Sequence, residues 1–284
     1  MSEPIDHHYV SQFLLSGWCR QDGRLAVFSH KGNRFVVDWH TPKYTGYEPK
    51  LYSISALPQP EQQWVEQEIM SKVVDGPASL VLQRMRAGEL ANLSADEMSV
   101  WVRFILAQWI RSPTDIAKLR REGSAALLRA LEANPEEYEI LRGDAPETTL
   151  VEWVQNHTNG LDEIVALGRV LPKLISDEEA GNIIIRMRWE VFHLPSSSVP
   201  LLTSDQPVVR LEGLKSRDCL IVIPLDPYRL FVANNYDRGL RRSSPDKIAK
   251  AMNKTMVQAA RFKVFGSSEQ HKRLVEKWLG HDRG

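Results

Sequence analysis

Cysteine is nearly missing from this chain. Cys19 and Cys219 are the only two in 284 residues, and neither belongs to a CxxC pair. No secretory disulfide framework is visible, and a reduced compartment is the default. Residues 1–6 are polar and carry no apolar signal region. No stretch approaches the roughly 18 apolar residues of a membrane span. The expectation is a cytoplasmic protein without a membrane partner. Net charge is also absent: Lys and Arg total 36, and Asp and Glu total 36. Global steering toward nucleic acid or an anionic surface is therefore disfavoured. HExxH, Walker A, GxGxxG and GxSxG patterns do not occur. Their absence removes most of the case for zincins, P-loop NTPases, dinucleotide enzymes and nucleophile-elbow hydrolases. There is no internal repeat and no low-complexity segment.

What remains is a composition able to build a sizeable core, with 43% hydrophobic residues, 25% charged residues and eight tryptophans. The charge is unevenly spread. Residues 136–163 hold Glu136, Glu137, Glu139, Asp144, Glu147, Glu152, Asp162 and Glu163 against Arg142. Residues 237–263 hold Arg238, Arg241, Arg242, Lys247, Lys250, Lys254, Arg261 and Lys263 against Asp237 and Asp246. Two solvated helix faces account for this pattern. So does a basic surface for a phosphate-bearing partner.

Hydrophobic periodicity predicts an α+β fold in which a small, mostly antiparallel sheet packs on a helical body. Residues 1–57 read as β-rich, with strands at 25–28 and 34–39 forming a hairpin over a loop at 29–33. A helical body follows over 58–185. The capping box Ser94-Ala95-Asp96-Glu97 opens a central helix that ends at Arg111-Ser112-Pro113. Residues 176–179 suggest a second capping box. Strands return over 186–235, and helices over 244–280, the first running through Val264. The N-terminal and later strands are expected to share one sheet, and no linker demands a second domain across 1–284.

Three motifs stand out in order. They are His7-His8-Tyr9-Val10 with Phe13-Leu14-Leu15, then Gln108-Trp109-Ile110-Arg111-Ser112-Pro113, then Thr203-Ser204-Asp205-Gln206-Pro207. Their order and spacing resemble the bacterial family known as domain of unknown function 4238, over about residues 7–265. Asn253 matches a helical asparagine of that family, and the stretch 223–227 resembles a strand end in it. Ser11 stands where the family usually has proline. The resemblance implies a shared fold and brings no established activity.

The candidate site residues are His7, His8, Gln108, Arg111 and Asp205. Adjacent histidines in an extended segment point to opposite faces, so both rings are not expected on one metal ion. One histidine, His8 for preference, is expected to face inward as base, acid or ligand. The alternative is a histidine that anchors the terminus by hydrogen bonds. Gln108 and Arg111 lie three apart on one helix face. Arg111 suits either a bidentate contact with phosphate or carboxylate, or a helix-end role. Asp205, before Gln206-Pro207, suits an Asx-turn, a metal ligand, or an orienter of a histidine. Glu66 and Glu68 read as a solvated face, and Asn253 as a core residue that bonds a loop. No pattern names a cofactor, and a divalent metal stays open.

Two functions follow. In the first, the five residues line one cleft of a hydrolase or transferase acting on a phosphate ester of a nucleotide or nucleic acid. In the second, the same residues are a buried network, and the chain is a binding or regulatory module, for instance a phage-defence accessory, that uses its basic C-terminal helix.

Overall fold

The dipeptide Gly32-Asn33 sets the first structural feature. Gly32 takes a positive φ, which costs a residue without Cβ little, and Lys31 pairs directly with Arg34. The hairpin loop is therefore two residues, tighter than the five expected from sequence. In a computed structural model, residues 5–133, 135–141, 143–235 and 243–280 are described.

In chain order the elements begin with β1 (Asp6–His8), α1 (Gln12–Leu15), β2 (Leu25–Lys31), β3 (Arg34–His40) and β4 (Tyr47–Pro49). A π-helix (Val65–Asp75) leads into α2 (Gly76–Arg86), α3 (Ala95–Ile110), α4 (Pro113–Glu132), α5 (Pro135–Leu141) and α6 (Leu150–His157). The short α7 (Leu161–Glu163) runs through a second π-helical stretch (Ile164–Val170) into α8 (Leu171–Ile175), followed by α9 (Glu178–Arg186). Then come β5 (Arg188–His193), β6 (Thr203–Ser204), β7 (Val209–Leu211), β8 (Leu220–Asp226) and β9 (Arg229–Asn234). The last elements are α10 (Pro245–Ala259), β10 (Lys263–Gly266) and α11 (Lys272–Trp278).

The fold is α+β, with small antiparallel sheets against a helical body; N-terminal and later strands share one sheet as expected, but the strands form three sheets in all among the described residues. β1 pairs with β4; β3-β2-β10-β6 form a second sheet; β5-β9-β8-β7 form a third. The helix expected to run through Val264 stops at Ala259, and Lys263–Gly266 pairs with β2 instead. The second capping box is also displaced. Asp177, not Ser176, caps α9, while Thr149 and Glu152 form the reciprocal box that opens α6.

α3 is the axis of the core. Ser94 and Glu97 satisfy each other's backbone donors at its start. Trp101, Phe104 and Ile105 are fully buried along it, in one cluster with Trp18, Phe231 and Phe265. Burying each large apolar side chain contributes roughly 1.5–3 kcal/mol. Trp101 stacks on Phe104 and meets Phe231 edge-on. The N-terminal segment, helical body and strands thus share one core, which fixes the three sequence motifs relative to one another. Among the described residues, no helix is long and apolar enough to cross a membrane.

Candidate functional site

The N-terminal motif is extended because β1 pairs with β4, with His7 opposite Glu48 and His8 opposite Tyr47. That alternation sends the two rings to different partners. His7 is fully buried and His8 is 8% exposed, so the deeper ring is His7, reversing the expectation from sequence. His7 Nδ1 accepts from the Tyr52 N–H at 2.9 Å, so its proton sits on Nε2, which donates to Gln63 Oε1 at 2.6 Å. The ring also stacks on Tyr52. His8 Nε2 donates to the Lys43 carbonyl at 3.2 Å, and its Nδ1 lies 3.3 Å from the Gln12 amide nitrogen. Burial lowers its pKa and favours the neutral ring.

Arg111 ends α3 and is 1% exposed. Asp75, the last residue of the π-helix, meets it in a fork, Nη1 at 2.8 Å and Nη2 at 3.2 Å. Nη2 also donates to the His8 carbonyl, and Nη1 to Ser11 Oγ. Ser11 Oγ in turn donates to Asp75 at 2.9 Å and accepts from Gln108 Nε2 at 3.1 Å. The Tyr52 hydroxyl donates to the Arg111 carbonyl at 2.8 Å. Burial opposes the guanidinium charge, but Asp75 and Tyr52 outweigh it and hold the pKa above its ordinary value.

Asp205 stands apart. Its carboxylate accepts the backbone N–H groups of Arg261, Phe262 and Lys263 at 2.6–3.0 Å, and it bonds none of the other four candidates. Burial raises its pKa, while these three donors and the Arg261 charge oppose that rise. The guanidinium of Arg261 reaches Ser112 and Asp115 at the start of α4. Among the hydrogen bonds of the described residues, the third motif is linked to the second through Arg261. Asn253 ties the neighbouring loop from inside the core, accepting from Leu202 N–H at 2.7 Å and donating to the Pro200 carbonyl at 2.9 Å.

The structure thus brings His8, Gln108 and Arg111 into one bonded network through Ser11 and Asp75, with His7 joined through Tyr52. Three surface cavities, of about 360, 220 and 370 Å³, are lined by none of the five candidates. Among the described residues, no group of three or more His, Cys, Asp or Glu side chains is placed to hold a metal. Neither Cys19 nor Cys219 forms a disulfide.

Comparison with known families gives one match, over residues 6–270, to the family described as Protein of unknown function (DUF4238). The chain belongs to this family. No curated protein and no solved structure matches it.

Three residues of this DUF4238 site are not among the five candidates. Asp75 and Ser11 are the partners that neutralise and frame Arg111. The third is Glu66, whose Oε2 is buried without a hydrogen-bond partner, as are Gln108 Oε1 and Arg111 Nε. Burial pushes the Glu66 carboxyl up to about 7, with Asp75 adding to the rise and Arg111 opposing it. Glu66 is thus packed against the network and is not part of a solvated face. The signal that could have pointed to Ser11 is its position. Its φ of −62° suits proline, the residue that the sequence resemblance places there, and in this chain the hydroxyl adds a hub that proline cannot supply.

Proposed function

We propose that the chain is a non-catalytic nucleic-acid-binding module of the cytoplasm, with the outward face of α10 and α11 as its contact surface. The observation that carries this reading is a set of six exposed cations on α10 and α11, two of them over one half-buried tryptophan. Lys247, Lys250 and Lys254 recur at three- and four-residue spacing on α10, and Lys272, Arg273 and Lys277 lie on α11. None of the six enters an ion pair among the described residues. Lys254 and Lys277 sit over the Trp278 ring, at 4.4 and 5.4 Å from its centroid. Lysines free of carboxylate partners are the groups that exchange counterions with a phosphate backbone. Arg238, Arg241 and Arg242, which extend the basic stretch in sequence, lie outside the described residues. The five motif candidates, by contrast, spend most of their polar atoms on internal bonds, the role expected of a network that specifies the fold.

Fluorescence anisotropy with labelled single-stranded RNA and duplex DNA, taken from low to physiological salt, tests this reading. Binding is expected with a dissociation constant of about 10⁻⁶–10⁻⁴ M, a range typical of non-specific contact. Affinity should fall log-linearly with salt, and each lysine changed to glutamate should flatten the slope by about 0.7–0.9. No binding at low salt would overturn it.

Glu66 supports a second reading, hydrolysis or transfer at a phosphate ester. A carboxyl poised near 7 with one unbonded oxygen, beside a buried arginine, has the attributes of a general acid or base. Turnover of p-nitrophenyl and bis(p-nitrophenyl) phosphate, abolished by Glu66→Gln with the fold intact, would favour it. Equal rates in the variant would remove it.

A further inference from the structure

A second surface, on α4 and α6, is built for a different partner. α4 and α6 pack against each other, yet none of the residues of α6 is buried. Two cavities, of about 220 and 370 Å³, lie along this pair and adjoin at Leu131 and Val151. Leu127, Leu128 and Leu131 of α4, Val151 and Val154 of α6, and Leu161 of α7 give them apolar walls. Leu128 is 38% exposed. The rims are acidic. Asp162 lines the first cavity, and Glu132, Glu139 and Glu152 line the second, while among the described residues no lysine or arginine lines either. Arg129, on the same stretch of α4, is exposed and lines neither cavity.

The span from Ser124 to Glu132 is about 12 Å of helix rise, long enough for roughly two turns of a docked helix. An apolar trough between carboxylate rims complements an amphipathic helix whose apolar residues recur at i, i+3, i+4 and i+7 and whose flanks are lysine or arginine. We infer that the α4–α6 trough is a docking site for a basic amphipathic helix of a partner protein. The apolar walls supply burial, and the four carboxylates choose the sign of the flanks and speed the encounter.

The test uses the full chain and three labelled 18-residue peptides. One carries leucine and lysine at helical spacing, one replaces every lysine with glutamate, and one has the leucine–lysine composition scrambled to abolish the apolar face. The account predicts that the first binds at least tenfold more tightly than either control. Leu128→Lys should weaken it at least tenfold without lowering the melting temperature, and Lys250→Glu on the basic face of α10 should leave it unchanged. Equal binding of the glutamate peptide, or an unchanged affinity in Leu128→Lys, would overturn the proposal. Sedimentation of the chain alone supplies the remaining arm. A salt-sensitive dimer abolished by Leu128→Lys would assign the trough to a second copy of this chain and would also overturn it.

Discussion

Glu66 shows at the scale of one residue how burial turns a charge into a pH-dependent cost. Its carboxyl rises from an ordinary 4.5 to about 7, so the folded chain keeps a proton that the unfolded chain has released. The stability attached to that proton is complete below about pH 4.5 and is lost as pH climbs through about 7. Glu66→Gln fixes the neutral form. The variant should match the parent near pH 4.5 and exceed it by up to about 3 kcal/mol above pH 7.5, read by urea unfolding across that range. A difference that does not change with pH would contradict this account of the side chain. Asp205, whose pKa burial also raises, differs from Glu66 in having partners, since its carboxylate accepts three backbone N–H groups. Asp205→Asn keeps the size but loses the charge and one acceptor oxygen, and should cost about 2 kcal/mol in the same assay. A residue kept only for chemistry would unfold at the parent's urea concentration.

Elements explain which features the sequence displayed and which it hid. α3 was legible because its cap, its apolar spacing and its Arg-Ser-Pro end all act locally. β10 was not, because Val264 and Phe265 continue the apolar pattern of α10. Their strand conformation comes from pairing with Phe28 and Val27 more than 230 positions away. Glu66 and Asp75 were hidden for a helical reason. Nine positions make about two and a half turns of an α-helix at about 3.6 residues per turn, which sets the two on opposite faces. The wider i→i+5 turn of the π-helix changes that phase, and both carboxylates act on Arg111. The histidines diverge as alternation in an extended segment requires, but which one lies deeper depends on Tyr52 and Gln63, contacts no local pattern displays. Element stability should follow burial in the same way. α3 buries seven residues and α6 none, so amide hydrogen exchange should be at least about 100-fold faster in α6 than in α3. Equal protection would show that α6 already has a partner surface.

At the scale of the molecule, zero net charge conceals two poles, a basic face on α10 and α11 and an acidic apolar trough between α4 and α6. Within the core, the motif residues bind one segment to another. Arg111 is the most connected of these, joining α3 to the N-terminal strand through His8, to α1 through Ser11 and to the π-helix through Asp75. Its removal therefore acts on the whole fold. Urea unfolding of Arg111→Ala, followed by circular dichroism and by tryptophan fluorescence together, is the direct measurement. Asp75 would be left beside a vacated charge, and the account predicts a loss of about 3–5 kcal/mol shared by both signals. A variant within about 0.5 kcal/mol of the parent, the range of an ordinary surface substitution, would contradict the claim that these motif residues hold the structure together.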